Sequence, residues 1–245
     1  MISVVISYSS NERRFFDAMI EECSKFSDNI IVSCLGRFFD GEIDKGLIDV
    51  LNNKKLENVG FVVDDTNQYE TFKDKHNGVR WNAIEHCQYD HIMFLDGDEI
   101  PNGDLMKLYL DTREYQKYHA VGFKCYWYFR DAKYQATALE ECGIIAKKTF
   151  MTKDVVFHEA ERGNFTNITN NYVRNQMWNG EPIMHHFSWV RTKEEMLRKV
   201  KSWGHTNDRD WNPMIEEEFS RDFNGTDFVH NYSYKILEKP LFNIN

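Results

Sequence analysis

The sequence predicts an α/β fold with a mostly parallel central sheet flanked by helices. Two observations carry that expectation. Short apolar runs alternate with amphipathic stretches through the first half of the chain, and strands that alternate with helices need crossover connections. Three of the apolar runs also end in polar residues, Ser7-Tyr8, Asp64-Asp65 and Asp96-Asp98. In an open α/β sheet, ligands bind outside the carboxyl ends of the strands.

Ile2 to Ser7 reads as the first strand. From Ser10, the apolar positions Phe15, Phe16, Met19, Ile20, Cys23 and Phe26 recur at three- and four-residue steps and predict an amphipathic helix. Ile30 to Ser33 reads as a second strand, Ile43 to Leu51 as a helix, Val59 to Val63 as a third strand and Val79 to Cys87 as a helix. His91 to Leu95 is the fourth strand. A helix from Gly103 to Lys117 follows, then strands at Ala120 to Phe129 and Glu140 to Lys148. Residues 152–179 are polar and Asn-rich and read as loop. Thr192-Lys193-Glu194-Glu195 matches a capping box. The helix that it starts buries Met196, Leu197, Val200 and Trp203, stops at Gly204, and turns its Lys and Arg residues to solvent.

The formal charge of −9, from 39 acidic and 30 basic residues, argues against nucleic acid as a partner. An acidic chain that handles a polyanion needs a local cation. Five cysteines without a C-x-x-C pair predict reduced, buried thiols and a cytoplasmic protein. No stretch approaches the roughly eighteen apolar residues of a transmembrane span. The expected organisation is a single domain, 1–245, with no interdomain linker.

The segment His91-Ile92-Met93-Phe94-Leu95-Asp96-Gly97-Asp98-Glu99 carries the most chemistry. An apolar strand that stops at Asp-x-Asp presents carboxylate oxygens where a substrate sits. Hard divalent ions take such oxygens together with substrate phosphates. The plain alternative is an acidic turn capping the next helix.

Together with Gly78-Val79-Arg80-Trp81-Asn82-Ala83-Ile84 before it and Phe157-His158-Glu159 after it, this segment resembles the GT-A glycosyltransferases, in particular inverting family 2 and its Asp-x-Asp-Glu, His-Glu subgroup. The resemblance covers about the first 160 residues. It implies a GT-A, Rossmann-like sheet with a C-terminal helical extension, residues 1–118 binding the nucleotide-sugar and residues 119–245 the acceptor. It further implies transfer of a sugar from a UDP- or GDP-linked donor to a hydroxyl of a glycan or glycoconjugate, with Mn2+ or Mg2+. Ser7 and Tyr8 would line the nucleoside pocket, Arg80 would lie near the base or diphosphate, Asp96 near the ribose or a metal-bound water, and Asp98 on the metal. Family members often end their second strand with an aspartate for the base. Here Ser33-Cys34-Leu35-Gly36-Arg37 stands instead, with Asp40 further on.

Inversion needs one carboxylate to take the acceptor proton. Glu159 is the candidate, Glu161 the reserve, with Glu140 and Glu141 behind them. His186, or His185 beside it, is the candidate to complete the metal shell, since a neutral imidazole is a good ligand. Trp189 and Trp203 are expected in the core and Trp211 at the surface as an acceptor platform. Two other readings remain: a GT-A module that binds a nucleotide-sugar or glycan without turnover, and a haloacid-dehalogenase-type phosphatase, whose Asp-x-Asp normally lies on the first strand.

Overall fold

Four apolar runs form the parallel half of the sheet: β1 (Ser3–Ser7), β2 (Ile30–Leu35), β3 (Val59–Asp64) and β4 (His91–Asp96). The computed structural model describes residues 1–53, 58–65, 68–158, 165, 169–202 and 204–244. The strand order begins β3-β2-β1-β4. Alternate residues of these strands face opposite apolar layers. Val4, Ile6, Ile30, Val32, Met93 and Leu95 join the layer of α1 (Arg13–Ser24). Val5, Ile31, Ile92 and Phe94 join that of α3 (Phe72–Ile84). Burial on both faces is why β1, β2 and β4 read as unbroken apolar runs, whereas β3 lies at the sheet edge and is only partly covered.

Beyond β4 the sheet becomes mixed. β6 (Ala120–Phe129) and the 17-residue β7 (Asp131–Lys147) form an antiparallel hairpin. Arg130, at φ 61°, makes its turn. β7 also pairs with β4, so the hairpin is welded to the parallel half. β9 (Met184–Trp189) runs parallel to β6 and pairs antiparallel with the three-residue β5 (Glu99–Pro101). Pro101 is tolerated because β5 ends the strand path and needs no second partner. β8 (Tyr172–Gln176) and β10 (Tyr234–Ile236) add to β6 and β7.

The helices between these strands are α2 (Leu47–Asn53), α4 (Gly103–Asp111), α5 (Lys153–His158), α6 (Lys193–Ser202) and α7 (Trp211–Phe219). Several bounds differ from expectation for visible reasons. α3 begins seven residues early, where Thr71 caps it by accepting from the Asp74 amide at 3.0 Å. Its first turns are polar, which hid them. α4 stops at Asp111 because Arg113 turns left-handed at φ 59°, and a 3-10 turn covers Glu114–Lys117. β7 starts nine residues early. The stretch read as loop, 152–179, contains α5 and β8.

The capping box forms as expected. Glu195 Oε2 accepts from the Thr192 amide at 2.7 Å, and Thr192 Oγ1 from the Glu195 amide at 3.3 Å. One expectation for α6 fails: Lys199 is buried and not on a solvated face. It lies on the same stripe as Met196 and Val200, one helical turn along. Trp211 is also buried, contrary to expectation, because α7 folds it against Trp189 at 5.4 Å and its indole N–H donates to the His205 carbonyl at 2.9 Å. Trp189 is in the core as expected. Trp203 lies outside the described residues. All five cysteines are buried and unlinked. Among the described residues no helix is long and apolar enough to cross a membrane.

Candidate functional site

A cleft of about 520 Å³ opens at the carboxyl ends of β1 and β4. Strand register builds its floor. Ser7 pairs with Asp96 across β1 and β4 and with Ser33 across β1 and β2, so the strand ends share one edge. The chain then turns through Gly97, where a Cβ would lie 2.9 Å from the Glu12 side chain and 3.3 Å from the Ser7 carbonyl. A residue without a side chain lets the acidic turn sit against β1. Glu99 closes the turn, its Oε2 accepting from the Asp96 amide at 3.0 Å.

Asp98 is the electrostatic centre. Its Oδ2 accepts from Lys199 Nζ at 2.8 Å and Arg191 Nη2 at 3.2 Å, while its Oδ1 faces His186 Nε2 at 3.4 Å. Burial by itself would raise the Asp98 carboxyl, but Lys199, then His186 and Arg191, hold it well below the usual carboxylate range. Arg191 is fully buried and ties three segments together. It donates to the Ser188 carbonyl at 2.9 Å, to the Asn11 carbonyl at 2.5 Å and to Glu12 Oε2. Lys199 also donates to Ser188 Oγ at 2.8 Å.

The β5–β9 register separates the two adjacent histidines. Glu99 pairs with His186, and Ile100 with His185. His186 therefore shares the cleft face with the acidic turn, and His185 points into the core. There Gln135 donates to the Tyr128 oxygen at 2.8 Å, and the Tyr128 hydroxyl is hydrogen-bonded to His185 Nδ1, also at 2.8 Å. Burial pushes the His185 ring down to about 3. Burial by itself would lower the His186 ring, but Asp98, with Cys125 and Glu99, holds it well above its usual range. A hard divalent ion could be held by Asp98 Oδ1 and His186 once it displaces the ring proton between them, with the other carboxylate oxygen anchored by Lys199 and Arg191.

The remaining candidates fall around this centre. The hydroxyls of Ser7 and Tyr8 are buried in the cleft wall with no hydrogen-bond partner among the described residues. Such groups are costly unless something satisfies them. Arg80 is no surface arginine. It is buried, with Nη2 3.5 Å from Asp96 Oδ1 and Nη1 donating to Asn77 Oδ1 at 3.3 Å. Asp40 pairs with Arg198 at 3.0 Å, and the wall beyond β2 is made by Leu35, Phe38 and Phe39. Glu140 and Glu141 both line the cleft. Glu141 is held by Arg174 Nε at 2.9 Å, and Glu140 accepts from Tyr232 at 3.0 Å. Glu159 and Glu161 lie outside the described residues.

Sequence reasoning missed Lys199 and Arg191. The signal for Lys199 was its place on the apolar stripe of α6. Arg191 offered none, since its partners Glu12 and Asp98 are 179 and 93 residues away.

No protein-family model matches the chain, and no curated protein matches it. Solved structures do. HddC from Yersinia pseudotuberculosis, complexed with GMP-PN, has a TM-score of 0.51 at 10% identity, over 81% of this chain and 97% of that one. The mannosyltransferase PcManGT from Pyrobaculum calidifontis, in complex with GDP-Man and Mn2+, has a TM-score of 0.50 at 9% identity, over 88% of this chain and 68% of that one. The fold is GT-A, Rossmann-like. At these identities the likeness is one of architecture, and function must be argued from the site.

Proposed function

We propose that this protein is a metal-dependent, inverting glycosyltransferase of the family 2 type. It moves a sugar from a nucleoside-diphosphate sugar, UDP- or GDP-linked, to a hydroxyl of a glycan or glycoconjugate in the cytoplasm. The observation that carries the reading is the Asp98–His186 pair, 3.4 Å apart at the mouth of the strand edge, with Asp98 clamped from behind by Lys199 and Arg191.

Asp98 and His186 would hold Mn2+ or Mg2+. When bound, that ion supplies Lewis-acid stabilisation of the departing diphosphate. Residues 1–118 receive the donor. The Ser7 and Tyr8 hydroxyls gain partners from the nucleoside, and Arg80, fixed by Asn77 and Asp96, adds positive charge near the phosphates. Asp96 meets the ribose or a metal-bound water. Lys199 and Arg191 keep Asp98 ionised and oriented, so its position does not depend on the ligand.

Residues 119–245 receive the acceptor, and Glu159 takes the proton from its attacking hydroxyl. As that proton leaves, the acceptor oxygen attacks the anomeric carbon from the face opposite the diphosphate, which inverts the centre. Calorimetry of UDP and GDP with and without Mn2+ tests donor binding. Incubation of a radiolabelled nucleotide-sugar with glycan acceptors then tests turnover. The reading predicts metal-dependent binding of one nucleotide and label in the glycan; absence of both removes it.

A further inference from the structure

Behind the acidic turn, the sheet brings together three side chains with a different chemical preference. Cys142 on β7, Cys125 on β6 and His186 on β9 lie on a diagonal across three adjacent strands. The register gives Phe123 opposite Cys142 and Trp127 opposite His186. Side chains alternate along a strand, so Phe123, Cys125 and Trp127 share one face, and both cross-strand partners share it with them. The two sulfurs and a ring nitrogen lie within 4.8 Å of one another. Both thiols are nearly inaccessible, at 0% and 5% exposure, yet Cys142 borders the cleft, which gives an ion a way in.

We propose that Cys125, Cys142 and His186 form a binding site for a thiophilic divalent ion of the zinc class. Thiolate and imidazole are the ligands that select such ions, whereas carboxylate and water suit Mg2+ and Mn2+. Three protein ligands with a fourth position open is the arrangement of zinc sites that keep an exchangeable ligand. A contraction of about 1 Å brings these atoms to the roughly 3.5–3.8 Å spacing that zinc–ligand bonds of about 2.1–2.3 Å demand at tetrahedral angles. On binding, each thiol exchanges its S–H bond for a metal–sulfur bond and its proton goes to solvent. The proposal stands on this geometry and goes beyond the transferase reading; the two share His186, whose neutral ring has one free nitrogen lone pair and so serves one of the two ions at a time.

Cobalt tests it, because thiolate-to-Co2+ charge transfer absorbs strongly in the near ultraviolet and carboxylate ligation does not. The full chain, kept reduced with a phosphine, is titrated with Co2+ and then with Zn2+. The expected result is one equivalent of charge-transfer absorption that zinc abolishes. Cys125→Ser and Cys142→Ser should each weaken the band. Each should also lower zinc affinity, read by competition with a chromophoric chelator, by more than the roughly 10–100-fold cost of losing an outer-shell partner. Wild-type protein without the band, or serine variants that both retain it in full, would overturn the proposal. Calorimetry of Mn2+ with UDP or GDP on the same wild-type preparation reads the donor site separately, so either reading can fail alone.

Discussion

Asp98→Asn removes one charge from a nearly water-free cluster while keeping the side chain's shape. At an effective dielectric constant of about 20, the Lys199 contact at 2.8 Å is worth about 6 kcal/mol of attraction, and the Arg191 contact at 3.2 Å about 5. Both are opposed by the cost of burying the ions, several kcal/mol for each. Removing one partner of a buried pair costs about 3–5 kcal/mol. Arg191 keeps Glu12, which places the expected loss near the lower bound, about 3 kcal/mol. Urea denaturation of the wild type, Asp98→Asn, Lys199→Met and the double variant forms a cycle. With Lys199 already removed, the Asn substitution should cost about 2 kcal/mol less than it does in the wild type. Single losses that add to within about 0.5 kcal/mol would refute the cluster as the source of the stability.

Glu159→Gln should leave donor binding near normal and lower transfer by roughly 10²–10⁴; unchanged turnover would move the base to Glu161. The neutral His185 ring gives a pH signature. Its folded value of about 3 lies below the unfolded 6.5, so its contribution is complete above pH 6.5 and is lost as pH falls toward 3. Between pH 6.5 and 5 that loss is about 2 kcal/mol, and His185→Gln should flatten the slope by about one proton in urea titrations. An unaltered slope would assign the dependence to other groups. Gly103→Ala would place a Cβ 2.3 Å from the Glu22 carbonyl oxygen, a backbone atom with little freedom to retreat. It should lower stability by about 1–3 kcal/mol in thermal or urea melts, and wild-type stability would mean that α1 and α4 can shift apart.

β1, β2 and β4 were legible because burial on both faces leaves unbroken apolar runs between turn residues, and the half-covered edge strand β3 was legible from its β-branched and aromatic residues. The Asp-x-Asp turn was legible as a turn because the apolar run of β4 stops abruptly at two aspartates one residue apart. His186 is the candidate ligand preferred to His185, but which of the two faces the acidic turn depends on the β5 register, and a three-residue strand has no periodicity to read. Lys199 was misplaced because charge outweighed its position on the helical stripe. Trp211 was misplaced because its polar neighbours concealed a helix that starts at the tryptophan itself. Cys125 and Cys142 lie on the two arms of one hairpin, and only its register shows that they meet.

The β6–β7 hairpin has a mechanical consequence. One continuous ribbon of chain bonds to β4 beside the acidic turn and, further along, to β10. A hinge between the two walls would have to break that ribbon. The width of the cleft between those two walls is therefore set when the chain folds.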